Sequence, residues 1–333
     1  MKYLLDAHSL FDIRFGVREA FGERGNRTSN VAAEEIQLDL NLPRLRPFPF
    51  SPEIAWQSTQ LPPPFHDDPV DLIMLPESSL DADPRHDRFL DLALSALAAD
   101  HDADVLAGGN TPAPHDRLFN TIFHYRPQAA DPEQPTGTGR TADLYSKRHL
   151  VPFGEYVPWR AALSFIEELQ QVPTDYEPGP GPTVFAVGDH RAGALICFES
   201  AFPALARQYA RRGADALVVL TNNRSYRRSA NSAQHLAMGQ FRAAETGRPL
   251  LQAAISGITA VVDHTGRVRD ETRLFEPTVL LGEVDTYRGR TPYTVAGEWA
   301  LLASAAVLVA APLAARRRRS QDRLMGDGGE AQP

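Results

Sequence analysis

Apolar positions recur with a regular period only from about residue 70 onward. Residues 71–75 (DLIML) form a short apolar run stopped by Pro76, which predicts a buried strand. Residues 85–100 space Leu90, Ala93, Leu94 and Leu97 three and four apart, which predicts a helix with one apolar face. A second strand is predicted over 104–108, ending in Gly-Gly-Asn. Two more, over 118–125 and 141–145, flank a loop at 127–140 rich in Pro, Gly and Thr. The stretch 147–158, KRHLVPFGEYVP, holds two prolines and a glycine, so it reads as an ordered loop and not as a helix or central strand. Residues 183–187 and 191–198 pair as a hairpin across Gly188-Asp189, a helix follows over 203–213, then a strand over 216–221. A further helix spans about 230–246, with Leu236, Phe241 and Ala244 on one side. Strands over 250–255, 258–263 and 279–284 complete the pattern, with a turn at His264-Thr265-Gly266. Strands alternating with helices predict an α/β layered fold.

The two ends depart from this rhythm. Residues 1–60, polar at 22–30 and dotted with prolines after 42, yield no architecture and no evident first strand. MKYLLDAHSLF is broken by Asp6 and His8 and lacks the apolar core of a signal peptide. Residues 299–315 (WALLASAAVLVAAPLAA) are uncharged and abut four arginines at 316–319. A run of 17 sits at the short end of the membrane-spanning range, with a buried core helix as the competing reading. The arginines and Trp299 at opposite ends favour an interface-anchored span, and the tail 320–333 reads as polar and disordered.

Composition narrows the classes. The chain has 333 residues, 43% hydrophobic and 23% charged, with a net charge of −8. That balance suits a globular protein and argues against nucleic acid as a partner, which needs clustered cations. Ten histidines show no metal-ligand spacing, so neither metal nor cofactor is expected, and Gly108-Gly109-Asn110 lacks the further glycines of a nucleotide-binding loop.

Cys197 is the only cysteine, so it cannot form an internal disulfide. Taken alone it reads as packing or as a reactive thiol. It stands where the strand ALIC turns into a helix, the place where an α/β enzyme presents a nucleophile. Glu77 and Lys147 also follow predicted strands. A carboxylate can take the thiol proton, and an ammonium with the backbone N–H of Phe198 can stabilise the oxyanion of acyl transfer.

LPESS, KRHLVPFGEYVP and ICFES, in this order and spacing, resemble the Glu–Lys–Cys motifs of the nitrilase, or carbon–nitrogen hydrolase, superfamily. KRHLVPFGEYVP is similar to the signature of one branch, the bacterial apolipoprotein N-acyltransferases. RPLLQAAISGITAVVDHTGRV (248–268) and GRTPYTVAGEW (289–299) resemble the last strands and the approach to the final membrane helix in that branch. The resemblance implies a four-layer α-β-β-α sandwich on the outer face of the bacterial cell membrane. Glu77 would be the general base, Lys147 the oxyanion stabiliser and Cys197 the nucleophile, with Glu155 and Glu199 as auxiliary acids. The implied partners are a phospholipid acyl donor and lipoproteins whose terminal diacylglyceryl-cysteine receives the chain. The domains expected are a divergent segment at 1–64, a carbon–nitrogen hydrolase domain at 65–290, a membrane helix at 295–315 and a cytoplasmic tail at 316–333. The branch also carries a multi-helix membrane domain before the sandwich, which this chain lacks, so a separately encoded or lost domain is expected. Residues 221–228 (TNNRSYRR) depart from the branch, with Asn223, Ser225 and Arg227 in place of an aspartate and an aromatic–glycine pair; Tyr226 keeps an aromatic contact with substrate. The alternatives are a membrane-anchored amide or nitrile hydrolase of the same superfamily and a non-catalytic decayed homologue.

Overall fold

The computed structural model describes residues 2–6, 70–127, 143–160, 162–163, 165–166, 169, 172 and 174–326. Most of the segment 1–64 and nearly all of the loop at 127–140 lie outside them. The chain divides into two units, 1–289 and 290–333.

In the first unit two six-stranded mixed sheets form among the described residues. Lys2–Asp6 (β1) is a strand that the sequence pattern did not reveal. It pairs in parallel with Leu72–Leu75 (β2) and antiparallel with Val279–Glu283, the last strand (β12). Asp104–Ala113 (β3), Arg117–Tyr125 (β4) and Asp143–Ser146 (β5) extend this sheet. The second sheet runs from Val184–Val187 (β6) and His190–Ile196 (β7) through Ala216–Asn222 (β8) and Leu250–Ile255 (β9). Ala260–Val262 (β10) and Val268–Glu271 (β11) close it.

The period-2 alternation of side chains builds the layers. Leu72 and Met74 of β2 point into a core shared with β7, β8 and β9, while Ile73 and Leu75 meet Leu94 and Leu97 of the helix Arg88–His101 (α1). The second sheet is covered on its other face by Pro203–Arg211 (α2) and Asn231–Thr246 (α3), so β8 is buried throughout residues 216–221. The order is helix, sheet, sheet, helix. Asp87 caps α1 by accepting from the Phe89 and Leu90 amides.

On α3 the expected apolar side is buried only at Leu236. Phe241 and Ala244 are exposed, and the buried face carries Ser232, His235, Leu236, Gly239, Arg242, Ala243 and Thr246. The cause is chemical: this face closes over Cys197 and Ser200, where polar side chains have backbone carbonyls to bind.

In the second unit Pro292–Ala296 (α4) precedes a helix over Trp299–Gly326 (α5), which continues through the arginines into the tail that the sequence read as disordered; 327–333 lie outside the described residues. Among the described residues no helix is long and apolar enough to cross a membrane, so the membrane helix expected at 295–315 is not established. Its Leu301, Leu302, Val307, Leu308 and Val309 are exposed.

Candidate active site

Parallel strands of both sheets end at one edge, and the functional side chains follow them. Glu77 leaves the end of β2 on a tight turn in which Ser79 Oγ and the Leu80 amide both bond the Gly108 carbonyl, at 3.1 and 2.9 Å. Strand β3 passes so close that a Cβ on Gly108 would meet Pro76 O at 2.4 Å and Glu77 Cα at 2.6 Å. Only glycine fits there. Lys147 follows β5, its amide donating to Asn120 O and its carbonyl accepting from Gly179 N, both at 2.8 Å. Cys197 follows β7 and opens a 3-10 turn, Cys197–Ala201, with φ at +49°. A non-glycine residue in that region is strained, the mark of a nucleophile turned out from a strand end.

The charges meet in a largely buried site. Lys147 is 1% exposed, and its ammonium donates to Glu155 Oε1 at 2.8 Å and lies 3.7 Å from Glu77 Oε1. Asn120 Nδ2 ties the two acids together, donating to Glu77 Oε1 at 2.6 Å and Glu155 Oε1 at 3.0 Å. The second oxygens are held by backbone amides: Glu77 Oε2 accepts from Asn222 N, and Glu155 Oε2 from Val151 N. Burial pushes the Glu77 carboxyl above its ordinary value, with the Lys147 charge pulling it back and Glu155 pushing with burial. Burial also opposes the Lys147 charge, yet Glu77, Cys197 and Glu155 outweigh it and hold the ammonium above its ordinary range.

The Cys197 thiol is pushed up to about 12, first by burial and then by the Glu77 charge; Lys147 and a hydrogen bond from the Thr221 hydroxyl act the other way. At neutral pH the sulfur is therefore held as the thiol. This decides how the sulfur can react. The proton then has to leave as the sulfur attacks, which requires a base beside it.

The imidazole in this region is not that base. His235 Nε2 lies 2.9 Å from the Cys197 carbonyl oxygen and donates to it. Burial lowers the His235 pKa, so the ring is neutral and its Nδ1 is an acceptor. Nδ1 is 3.0 Å from Asn223 Oδ1, which would set acceptor against acceptor, while Asn223 Nδ2 has no partner among the described residues. A half-turn of the amide removes the acceptor–acceptor clash. Asn223 then donates to His235 and to Thr221 Oγ1, 3.0 Å away, and leaves the Thr221 proton free for the sulfur.

Glu199 is not with the other acids. Fully buried, it accepts from Tyr145 Oη at 2.7 and 2.8 Å and from the amides of Arg148, His149 and Ile196. Its carboxylate braces the backbone just after Lys147 and just ahead of Cys197, and holds the Tyr145 hydroxyl. Phe198 follows the nucleophile, its ring edge-on to Phe202, and Tyr226 is half-buried with its ring 6.3 Å from that of His235. Asn120, Thr221, Asn223 and His235 escaped the sequence reading, although an Asn inside the apolar run LFNTIF was a visible signal. A cavity of about 530 Å³ over α2, lined by His149, Phe202, Arg207 and Arg211, includes none of the reacting groups.

The carbon–nitrogen hydrolase profile matches residues 63–293. The chain belongs to that family. It is similar to an apolipoprotein N-acyltransferase of Geobacter metallireducens, 43% identical over 175 residues, which is 52% of this chain and 33% of the relative. Those of Photobacterium profundum and Haemophilus ducreyi are 34% and 32% identical, over 70% and 75% of this chain and 44% and 49% of theirs. The chain thus spans about half or less of the length of these relatives. Among solved structures, yeast Nit3 of the nitrilase superfamily superposes with a TM-score of 0.51 at 17% identity, covering 86% of this chain and 90% of that one. An amidase from Nesterenkonia sp. AN1 gives 0.50 at 17%, covering 86% and 93%. These two likenesses carry the fold, the nitrilase-type α/β sandwich with mixed sheets.

Proposed function

We propose that this chain is an apolipoprotein N-acyltransferase-type enzyme. Cys197 takes an acyl chain from a phospholipid as a thioester, then passes it to the α-amine of a lipoprotein's diacylglyceryl-cysteine. The observation that carries the reading is the Lys147 ammonium held between Glu77 and Glu155 beside a protonated, buried thiol. Glu77 takes the Sγ proton as sulfur attacks the ester carbonyl. Lys147 Nζ and the Phe198 N–H face the oxyanion. The intermediate collapses, and the departing glycerol oxygen takes the proton back from Glu77, leaving lysophospholipid. The amine then attacks the thioester, and Glu77 accepts its proton and returns it to Sγ as the sulfur leaves, which restores the thiol and the carboxylate. Glu155 keeps Lys147 charged and aimed, and Glu199 holds the loop that carries it.

Three observations favour a lipid donor. The relatives bear the acyltransferase name over the matched region. The loop after Lys147 exposes Phe153, Trp159 and Phe165, three large rings that a water-facing loop would not present. The uncharged half of α5 exposes its aliphatic side chains all along its length. We read that half, about 25 Å of helix, as seated in the bacterial cell membrane, with local thinning and arginine snorkelling making up the shortfall against a core of ~30 Å. Arg316 and Arg317 would then face the cytoplasm.

The test compares two turnovers of the purified chain in mixed micelles: lysophospholipid released in the presence of a diacylglyceryl-cysteine peptide, and ammonia released from short aliphatic amides. Lipid turnover lost in Cys197→Ser supports the acyltransferase. Amide turnover without lysophospholipid identifies an amide hydrolase, and neither activity with the membrane components supplied identifies a non-catalytic homologue.

A further inference from the structure

The strand that supplies Thr221 runs directly into a loop carrying Arg224, Arg227 and Arg228. No aspartate or glutamate occurs anywhere in residues 221–244, in a chain whose net charge is −8. All three arginines are exposed, and no carboxylate pairs with any of them among the described residues. Arg228 instead lies over the exposed ring of Phe275, 5.1 Å from its centroid. The loop is tied to the active site at both ends. Its Asn222 amide binds Glu77 Oε2 at 2.7 Å, and the Tyr226 ring, between Arg224 and Arg227, packs edge-on to His235. Internal bonds from Tyr226 N to Asn223 O, Arg227 N to Arg224 O and Ser229 N to Tyr226 O keep it folded.

Arg227 adds a second, independent observation. Its backbone stands at φ +51° and ψ −141°, a region suited to glycine. A side chain there is strained, and such strain collects where a site requires it. Here the strained position holds a guanidinium, the group that binds phosphate with two parallel hydrogen bonds.

We propose that Arg224, Arg227 and Arg228 form a phosphate-binding rim at the mouth of the Cys197 site that selects anionic phospholipids, such as phosphatidylglycerol, over zwitterionic ones as acyl donor. This deepens the phospholipid reading and rests on it. The headgroup phosphate sits on the arginines while the glycerol ester reaches the sulfur. A choline or ethanolamine ammonium would be brought against the same cations and repelled, whereas a glycerol headgroup leaves the negative charge free. Phe275 supplies the apolar side of the rim.

The full chain is treated with iodoacetamide, and protection of Cys197 is read by intact mass against increasing dihexanoyl phosphatidylglycerol, dihexanoyl phosphatidylcholine or inorganic phosphate. Acyl transfer is scored separately, as the acyl adduct on untreated protein. The expected result is half-protection by the anionic lipid at a concentration lower by about ten-fold than by the zwitterionic one. Inorganic phosphate protects only weakly. The ratio collapses toward unity in Arg224→Gln/Arg227→Gln/Arg228→Gln, and Arg227→Gly loses several-fold of it while melting higher than the parent. Equal protection by both lipids overturns the proposal and leaves the acyl-transfer reading intact, as does a preference that survives the triple substitution. Phosphate protecting as well as lipid overturns the lipid assignment. Protection by neither lipid, with no acyl adduct, sinks the phospholipid reading itself and this rim with it.

Discussion

Replacing Lys147 by methionine probes the electrostatics of the site most severely. Methionine fills much of the lysine stem's volume, so the change is chiefly the loss of the ammonium. What remains is two carboxylates, Glu77 and Glu155, bonded to one amide nitrogen of Asn120 in a largely buried site. Removing one partner of a buried ion pair costs about 3–5 kcal/mol, because the remaining charge has no compensation. The carboxylates escape part of that cost by binding a proton, since like charges this close cannot both stay ionised. The sign of the pH dependence follows. Burial already raises Glu77 above 4.5, and without Lys147 it rises further, so the folded variant binds a proton that the unfolded chain has released. Its stability therefore falls as pH climbs through the window above 4.5. Urea unfolding followed by circular dichroism is expected to give a loss of about 3–5 kcal/mol at pH 8 and a clearly smaller one at pH 5. The double variant Lys147→Met/Glu155→Gln is expected to recover part of the pH 8 loss while remaining inactive. A loss below about 1 kcal/mol, equal at both pH values, would refute the reasoning, because it would mean that water screens these charges.

Three further outcomes are expected. Gly108→Ala drives a Cβ into Pro76 O and the Glu77 backbone, so it is expected to lower the urea midpoint by the equivalent of about 1–3 kcal/mol and to slow acylation through a displaced base. In the acylation rate against pH, the acid limb of the wild type is expected above pH 4.5, followed by a plateau. Glu77→Gln, which leaves hydroxide to deprotonate a thiol of pKa about 12, is expected to retain a rate lower by about 10²–10⁴ at pH 7 that climbs continuously with pH. Asn223→Asp places a carboxylate against His235 Nδ1, so the ring, neutral in the wild type, should titrate at a higher pH by NMR, while His235→Gln slows acylation without changing that acid limb.

Much of the sandwich was legible because its strands are short apolar runs ended by Pro, Gly or polar turns, as in DLIML-P and ALIC-F. The three loops that bear Glu77, Lys147 and Cys197 were visible as ordered, strand-terminal motifs, and the structure brings those side chains together. What stayed hidden is non-local. β1 is a five-residue strand whose partners lie about 70 and 280 positions along the chain, so no local period marks it. The buried face of α3 was misread because an apolar side was sought where His235 and Arg242 turn inward toward carbonyls. Glu199, two residues from the nucleophile, looked like part of the acid set. Only its four donors reveal a brace, since sequence spacing carries no direction for a side chain beyond a turn.

The central claim, that the Cys197 sulfur forms an acyl thioester through base catalysis by Glu77, is tested most directly by the mass of the intact chain after incubation with phospholipid. The account predicts a gain of one acyl chain, located on Cys197, removed by hydroxylamine, much slower to appear in Glu77→Gln and absent in Cys197→Ser. An unmodified chain with the membrane components present, or an adduct that forms as fast without the Glu77 carboxylate, would contradict it.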